Sequence, residues 1–151
     1  MKFNLSWFKF SYLAIVPFLF IGQLSAIAEP SVRFKNRSNF ALFSRQSQLY
    51  YQLGSTRYAE KNYQEAVAAF SRAIRIDREY VNAYYYRGLA NYRLQQYALA
   101  LTDFDRTLQL DSKYFFAYNN RGLVRYKTQE YDKAIEDFSR AIQINKNNDI
   151  A

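Results

Sequence analysis

The residue pairs in this chain best suited to handling protons are carboxylates, Asp103 with Asp105 and Glu136 with Asp137. Two acids held together can divide the work of general acid and general base. Both pairs fall in periodic, helix-like stretches and read as a solvated charged face. The chain contains no His and no Cys. That removes thiol nucleophiles, disulfides, Ser-His triads and the usual zinc sites. No Gly-rich phosphate loop and no cluster with metal-ligand spacing is present. The expectation is therefore a protein without catalytic residues, metal or cofactor. What remains is the chemistry of binding. The 15 Tyr and 13 Phe residues recur at regular intervals, and tyrosine combines a large rigid contact surface with a polar tip.

The charge pattern narrows the partner. The net charge is +8, but the first 28 residues hold Lys2 and Lys9 with no acid, and residues 29–46 hold Arg33, Lys35, Arg37 and Arg45 against Glu29. The remaining 105 residues carry 15 basic and 12 acidic side chains, a balance of +3. Such a mixed surface is a weak polyanion trap, so nucleic acid is not the expected partner. With 151 residues, half of them hydrophobic, the chain suffices for one compact domain.

The N-terminus reads as an export signal. Lys2 and Lys9 precede an uncharged stretch from Phe10 to Ala28, apolar through Tyr12–Leu24 and closed by Ala26-Ile27-Ala28 before Glu29-Pro30. A basic start, an apolar centre and small residues at the last and third-last positions are the marks of a secretory signal peptide, residues 1–28. Cleavage is expected between Ala28 and Glu29. The alternative is an uncleaved anchor over residues 10–28, which is long enough to span a bilayer but weakened by Pro17, Gly22, Gln23 and Ser25. Either way residues 30–151 are expected across the inner membrane, in a periplasm or equivalent lumen. Membrane contact is expected only if the segment is retained.

Beyond residue 46 the chain repeats with a period of 34. Gly54/Gly88/Gly122, Tyr50/Tyr84/Tyr118, Tyr58/Tyr92/Tyr126, Tyr63/Tyr97/Tyr131, Ala66/Ala100/Ala134, Phe70/Phe104/Phe138 and Arg72/Arg106/Arg140 are identical in three copies, 47–80, 81–114 and 115–148. Unrelated sequence would give about 0.1 such columns. Each copy reads as two helices with apolar residues every three to four positions. In copy two, Gln95-Gln96 interrupts them and Asp111-Ser112 supplies the stop and next turn. Gly88 and Ala100 are small where antiparallel helices would cross; Tyr84 and Phe104 are large where hairpins would leave gaps.

These columns resemble the tetratricopeptide repeat over residues 47–148. Positions 4, 8, 20 and 24 of each copy match that family. The resemblance implies an all-α solenoid of three helix-turn-helix repeats, right-handed, with a concave protein-binding face. The departures are specific. Position 11 is Arg57, Asn91 and Arg125, with Tyr displaced to position 12. Position 32 is Arg78, Ser112 and Lys146, never Pro. Position 7 is Leu53, Arg87 and Arg121, while position 23 changes in step through Ala69, Asp103 and Asp137. Two explanations stand: cross-helix pairs Arg87–Asp103 and Arg121–Asp137, with an apolar contact in copy one, or pairing of each Asp with Arg106 or Arg140 on its own helix.

The resemblance also implies which side chains line the concave face: Gln48, Tyr51, Ser55, Tyr58 and Ala59; Asn82, Tyr85, Leu89, Tyr92 and Arg93; Phe116, Asn119, Leu123, Tyr126 and Lys127. The expected groove is aromatic and hydrogen-bonding, with cations toward its C-terminal half. It suits a peptide with apolar and acidic side chains. Tyr58, Tyr92 and Tyr126 are equally well explained as packing between helices. The family's C-terminal-carboxylate clamp uses Lys at position 5 and Asn at position 9 of the first repeat; Tyr51 and Ser55 stand there, so that specificity is not transferred. At the ends, the basic segment 29–46 is expected to hold Ser38-Asn39 as a cap, with Phe40, Leu42 and Phe43 packed on the first helix; its alternative is contact with anionic lipid. Only the tail 149–151 follows copy three, so an open last hairpin is expected to be covered by a second copy, a partner or that tail, unless the chain is a piece of a longer member of the family.

Overall fold

The computed structural model describes the backbone of residues 30–148 and the side chains of residues 41–146. The signal segment, the Ala28–Glu29 junction and the tail 149–151 lie outside the described residues. Six helices follow in order: α1 (Pro30–Ala59), α2 (Tyr63–Ile76), α3 (Val81–Arg93), α4 (Tyr97–Leu110), α5 (Phe115–Lys127) and α6 (Tyr131–Asn148). They pair as three hairpins, α1 with α2, α3 with α4 and α5 with α6, and each hairpin stacks on the next.

The seven identical columns resolve into three packing partnerships and one buried residue. Gly at position 8 faces Phe at position 24: a Cβ on Gly54, Gly88 or Gly122 would come within 2.6, 2.8 or 2.8 Å of the Phe70, Phe104 or Phe138 ring. Tyr at position 4 lies beneath Arg at position 26, Arg72 sitting 5.7 Å from the Tyr50 ring centroid and Arg106 5.9 Å from that of Tyr84. These are cation–π distances. Tyr at position 12 meets Tyr at position 17, with ring centroids 5.4, 6.0 and 5.6 Å apart in the three copies. Ala66, Ala100 and Ala134 are buried where the paired helices touch. The Gly–Phe and Tyr–Tyr columns thus specify contacts inside one hairpin in all three copies, and the Tyr–Arg columns do so in the first two; in the third, Arg121 lies over Tyr118 instead.

The turn inside each hairpin is equally regular. Lys61, Gln95 and Gln129 take left-handed conformations, with φ of 63°, 59° and 65°. In each case the left-handed residue donates its N–H to the carbonyl three residues back, and the next residue donates to the carbonyl five back, as in Asn62 N to Arg57 O at 2.9 Å. This is the helix-ending motif in which glycine is usual. Between hairpins, the Oδ1 atoms of Asp77 and Asp111 accept the N–H groups of Glu79 and Lys113 at 2.9 Å. Aspartate thus makes the turn between hairpins. Replacing Lys61, Gln95 and Gln129 together by Gly removes three left-handed penalties at the cost of a more flexible unfolded chain. The net gain is about 1 kcal/mol, additive over three separate turns. A thermal melt of the triple variant should rise by a few degrees; a fall would show that the side chains hold the turns.

One expectation about the N-terminal segment is corrected. Residues 30–46 are not a separate capped element: α1 runs unbroken from Pro30, and Ser38-Asn39 lie within it. Pro30 is in place at the first helical position, where its missing N–H costs nothing. Leu42 and Phe43 do not pack back on the first helix, because they are part of it, and they stand 63% and 56% exposed.

Candidate protein-binding face

Helices α1, α3 and α5 lie side by side, and polar contacts run from each to the next. Arg93 Nε donates to the Tyr58 hydroxyl at 3.4 Å. The Tyr114 hydroxyl, from the turn before α5, donates to Asn82 Oδ1 at 3.1 Å. Asn120 Nδ2 donates to the Tyr85 hydroxyl at 3.0 Å. Two of these tyrosines sit deep enough for burial to lift their hydroxyls above the usual phenol value. Tyr114 is pushed up to about 12, and Tyr85 is raised further, burial leading in both and neighbouring tyrosines adding to it. Both therefore stay neutral and act as hydrogen-bonding groups at any ordinary pH.

The residues expected on the concave face divide into three groups. Asn82, Arg93, Phe116, Asn119, Leu123, Tyr126 and Lys127 are exposed. Tyr51, Tyr58, Leu89 and Tyr92 are half-buried. Tyr85 is a correction: it is only 8% exposed and belongs to the core with Phe104, Leu108 and Val124. Its ring packs on Tyr86, Phe104 and Tyr114 with centroids 5.2, 6.0 and 4.9 Å away. The aromatic stack between the second and third hairpins needs a ring there, so truncating Tyr85 would damage the fold before it damaged a groove. The Tyr58/Tyr92/Tyr126 ladder is a packing element, each ring seated on the Tyr of the second helix in its own hairpin. Tyr126 is nevertheless 57% exposed. Leu89 and Tyr92 gain cover from the third hairpin, and among the described residues no helix follows α6 to do the same for Leu123 and Tyr126.

The cross-helix ion pairs are present. Arg87 Nη2 lies 2.6 Å from Asp103 Oδ1, and Arg121 Nη2 lies 2.6 Å from Asp137 Oδ1. Arg106 and Arg140 turn instead to Gln109 and Gln143. Each position-7 arginine also reaches back to the preceding hairpin, Arg87 to Ser71 Oγ at 3.0 Å and Arg121 to Asp105 Oδ1 at 2.6 Å. The odd residue at position 11 completes the network: Asn91 Nδ2 donates to Asp103, and Arg125 Nη1 to Asp137, both at 2.9 Å. The three coordinated departures from the family pattern at positions 7, 11 and 23 were the available signal for that third member. Burial pushes the Asp103 carboxyl above the usual carboxylate value, with Arg87 and Asn91 opposing the rise. In copy one, Leu53 is 41% exposed and lines a shallow depression with Ala69, Arg57 and Arg72, so the expected apolar contact is loose. Arg57 pairs there with Glu60 and Glu65.

Comparison with known proteins supports this architecture. Models of the tetratricopeptide repeat match residues 81–114 and 115–148, and a TPR-repeat model matches residues 54–95. No curated protein sequence matches the chain. Among solved structures, MamA superposes with a TM-score of 0.69 at 25% identity, over 72% of this chain and 63% of its own. The chain thus spans less than two thirds of that protein's length. The Arabidopsis OM64 TPR domain superposes with a TM-score of 0.68 at 25% identity, covering 70% of this chain and 87% of the domain. The first TPR of Spaghetti (RPAP3), solved with an HSP90 peptide of sequence SRMEEVD, gives 0.67 at 24% identity, over 69% of this chain and 82% of its own.

Proposed function

The chain belongs to the tetratricopeptide-repeat family, and from that premise we propose that it is a non-enzymatic interaction module that binds a peptide or protein segment along the face formed by α1, α3 and α5. The observation that carries this reading is the exposed apolar and cationic surface on α3 and α5. Phe116 is 53% and Leu123 38% exposed, with Asn119 beside them and Arg93 and Lys127 exposed at matching ends of their helices. A segment with acidic residues near Leu or Phe complements it. The likeness to the peptide-bound Spaghetti domain speaks for the fold alone. Tyr51 and Ser55 stand where the first-repeat clamp for a terminal carboxylate has Lys and Asn, so this reading does not require a terminal carboxylate.

Selection of displayed peptides against the full chain tests this. It should enrich Asp or Glu within a few residues of Leu or Phe. Affinity should fall about tenfold in R93E/K127E, two exposed charges each worth up to about 1 kcal/mol, with the fold intact by circular dichroism and the melt lowered only by the loss of the exposed Arg93–Tyr58 bond. Enrichment of basic sequences, or binding indifferent to R93E/K127E, would refute it.

In the same reading the module works outside the cytoplasm, exported by residues 1–28. Lys2, Lys9, the apolar Tyr12–Leu24 stretch and the Ala26/Ala28 pair support this. The intact mass of the protein from an extracytoplasmic fraction should correspond to a chain beginning at Glu29. A chain found only in the cytoplasm would end that part of the proposal.

A further inference from the structure

The outer face of α6 is exposed where the corresponding faces of α2 and α4 are covered by the next hairpin. In the first hairpin, Val67, Ser71 and Ile74 on α2 receive α3. Ile74 is buried against Ala83, Val67 packs on the cluster holding Ala90, and Ser71 accepts a hydrogen bond from Arg87. In the second hairpin, Leu101, Asp105 and Leu108 on α4 receive α5 in the same register, against Ala117, Val124 and Arg121. The corresponding residues of α6 are Ile135, Ser139 and Ile142. Ile74 and Leu108 are each 8% exposed, whereas Ile142 is 57% and Ile135 63% exposed. Phe138 shares the effect, being half-buried where Phe70 and Phe104 are 0% exposed.

We infer that this face binds an amphipathic helix of a partner protein carrying Ala, then Arg four residues later, then Ala or Val three residues after that. Ala83, Arg87 and Ala90 on α3 have this spacing, as do Ala117, Arg121 and Val124 on α5. Small residues are required at the outer two positions because all four occupants there are 0% exposed, leaving no room for a longer side chain. The arginine finds an acceptor in Ser139, as Arg87 finds one in Ser71. A second copy stacked through α1 does not meet these requirements. Its residues in that register are Leu49, Leu53 and Thr56: a leucine where alanine is needed, and no guanidinium for Ser139. The α3 and α5 helices of a second copy carry the pattern but are buried in their own fold.

The test uses the full chain and a labelled peptide with the α3 sequence Tyr80–Leu94, stapled as a helix on the side away from Ala83, Arg87 and Ala90. Fluorescence anisotropy should show saturable binding, weakened at least tenfold by Ile142→Glu in the protein. Circular dichroism serves as the fold check, and Ile142 is exposed enough to accept the change. Arg87→Ala in the peptide should weaken binding several-fold, and Ser139→Ala in the protein should remove that difference. R93E/K127E should have no effect, which separates this site from the groove. Absence of saturable binding at millimolar peptide, or binding indifferent to Ile142→Glu, overturns the proposal. Concentration-dependent self-association in sedimentation that Ile142→Glu abolishes also overturns it, assigning the face to a second copy instead.

Discussion

Gly88→Ala destabilises the protein by up to about 2 kcal/mol, yet stabilises a variant that already carries Phe104→Ala. The added methyl would lie 2.8 Å from Phe104 Cε1 and 3.2 Å from Asp103 Cβ. Neither neighbour can retreat: Phe104 is 0% exposed and packed on Tyr85, and Asp103 is held by Arg87 and Asn91. Overpacking of this kind costs about 1–3 kcal/mol, against about 1 kcal/mol gained by replacing a helical glycine with alanine. Phe104→Ala alone costs about 3–5 kcal/mol through lost burial and the cavity it leaves, a large part of a typical domain's total stability. With the ring gone, the methyl introduced by Gly88→Ala projects into that cavity and the helix-propensity gain is left largely unopposed. Urea unfolding of the four proteins in this cycle measures a coupling of about 2 kcal/mol. If Gly88→Ala had the same effect in both backgrounds, the Gly–Phe contact would not be what requires glycine there. Gly54→Ala should be the more costly of the glycine changes, since its Cβ would stand 2.6 Å from two atoms of Phe70.

The second large effect belongs to the ion-pair network. Asp103 is 2% exposed and accepts from both Arg87 and Asn91. Asp103→Ala leaves a mostly buried guanidinium and a buried amide without their acceptor. Breaking one side of a buried pair costs about 3–5 kcal/mol, and replacing both sides by apolar residues is often close to neutral. The Arg87 side chain keeps 23% exposure and its bond to Ser71, which places the single variant near the low end, about 3 kcal/mol. The first hairpin already shows the apolar alternative, with Leu53 and Ala69 at these two positions. Grafting it as R87L/D103A should recover most of the loss, to within about 1–2 kcal/mol of the parent, the remainder reflecting Asn91. If the double variant were no better than Asp103→Ala, the loss would come from the carboxylate's own packing and not from the stranded arginine.

Residue spacing showed three copies of two helices each, and their stacking into a solenoid followed from the resemblance to the tetratricopeptide repeat. A period of 34 with seven identical columns could be read directly because most columns serve contacts within one hairpin, Gly with Phe and Tyr with Tyr in every copy and Tyr with Arg in two. Contacts that every copy must make leave the same residues in every copy. The linked change at positions 7 and 23 was legible for the same reason, and it pointed to Arg87–Asp103 and Arg121–Asp137 as one of two explanations. Spacing could not choose between a partner on the facing helix and one on the same helix, since both lie within reach of a long arginine. Asn91 and Arg125 stood out as departures, but their bonds to the two aspartates depend on how closely the helices approach.

What only the tertiary structure decided is which side of each helix stays open. Tyr85 and Asn119 occupy the same position of their repeats, yet one is core and the other exposed. Tyr92 and Tyr126 are the same residue in the same column, and the following hairpin partly covers only the first. Burial in a stacked solenoid is set by the neighbouring repeat as much as by a residue's own, and the periodic pattern does not show which side chains a neighbour covers. The chemistry of the repeat is therefore written in the residues, whereas which side chains stay exposed, Phe116 and Lys127 at the two ends of α5 and Ile135 and Ile142 on α6, emerges only when the helices are stacked.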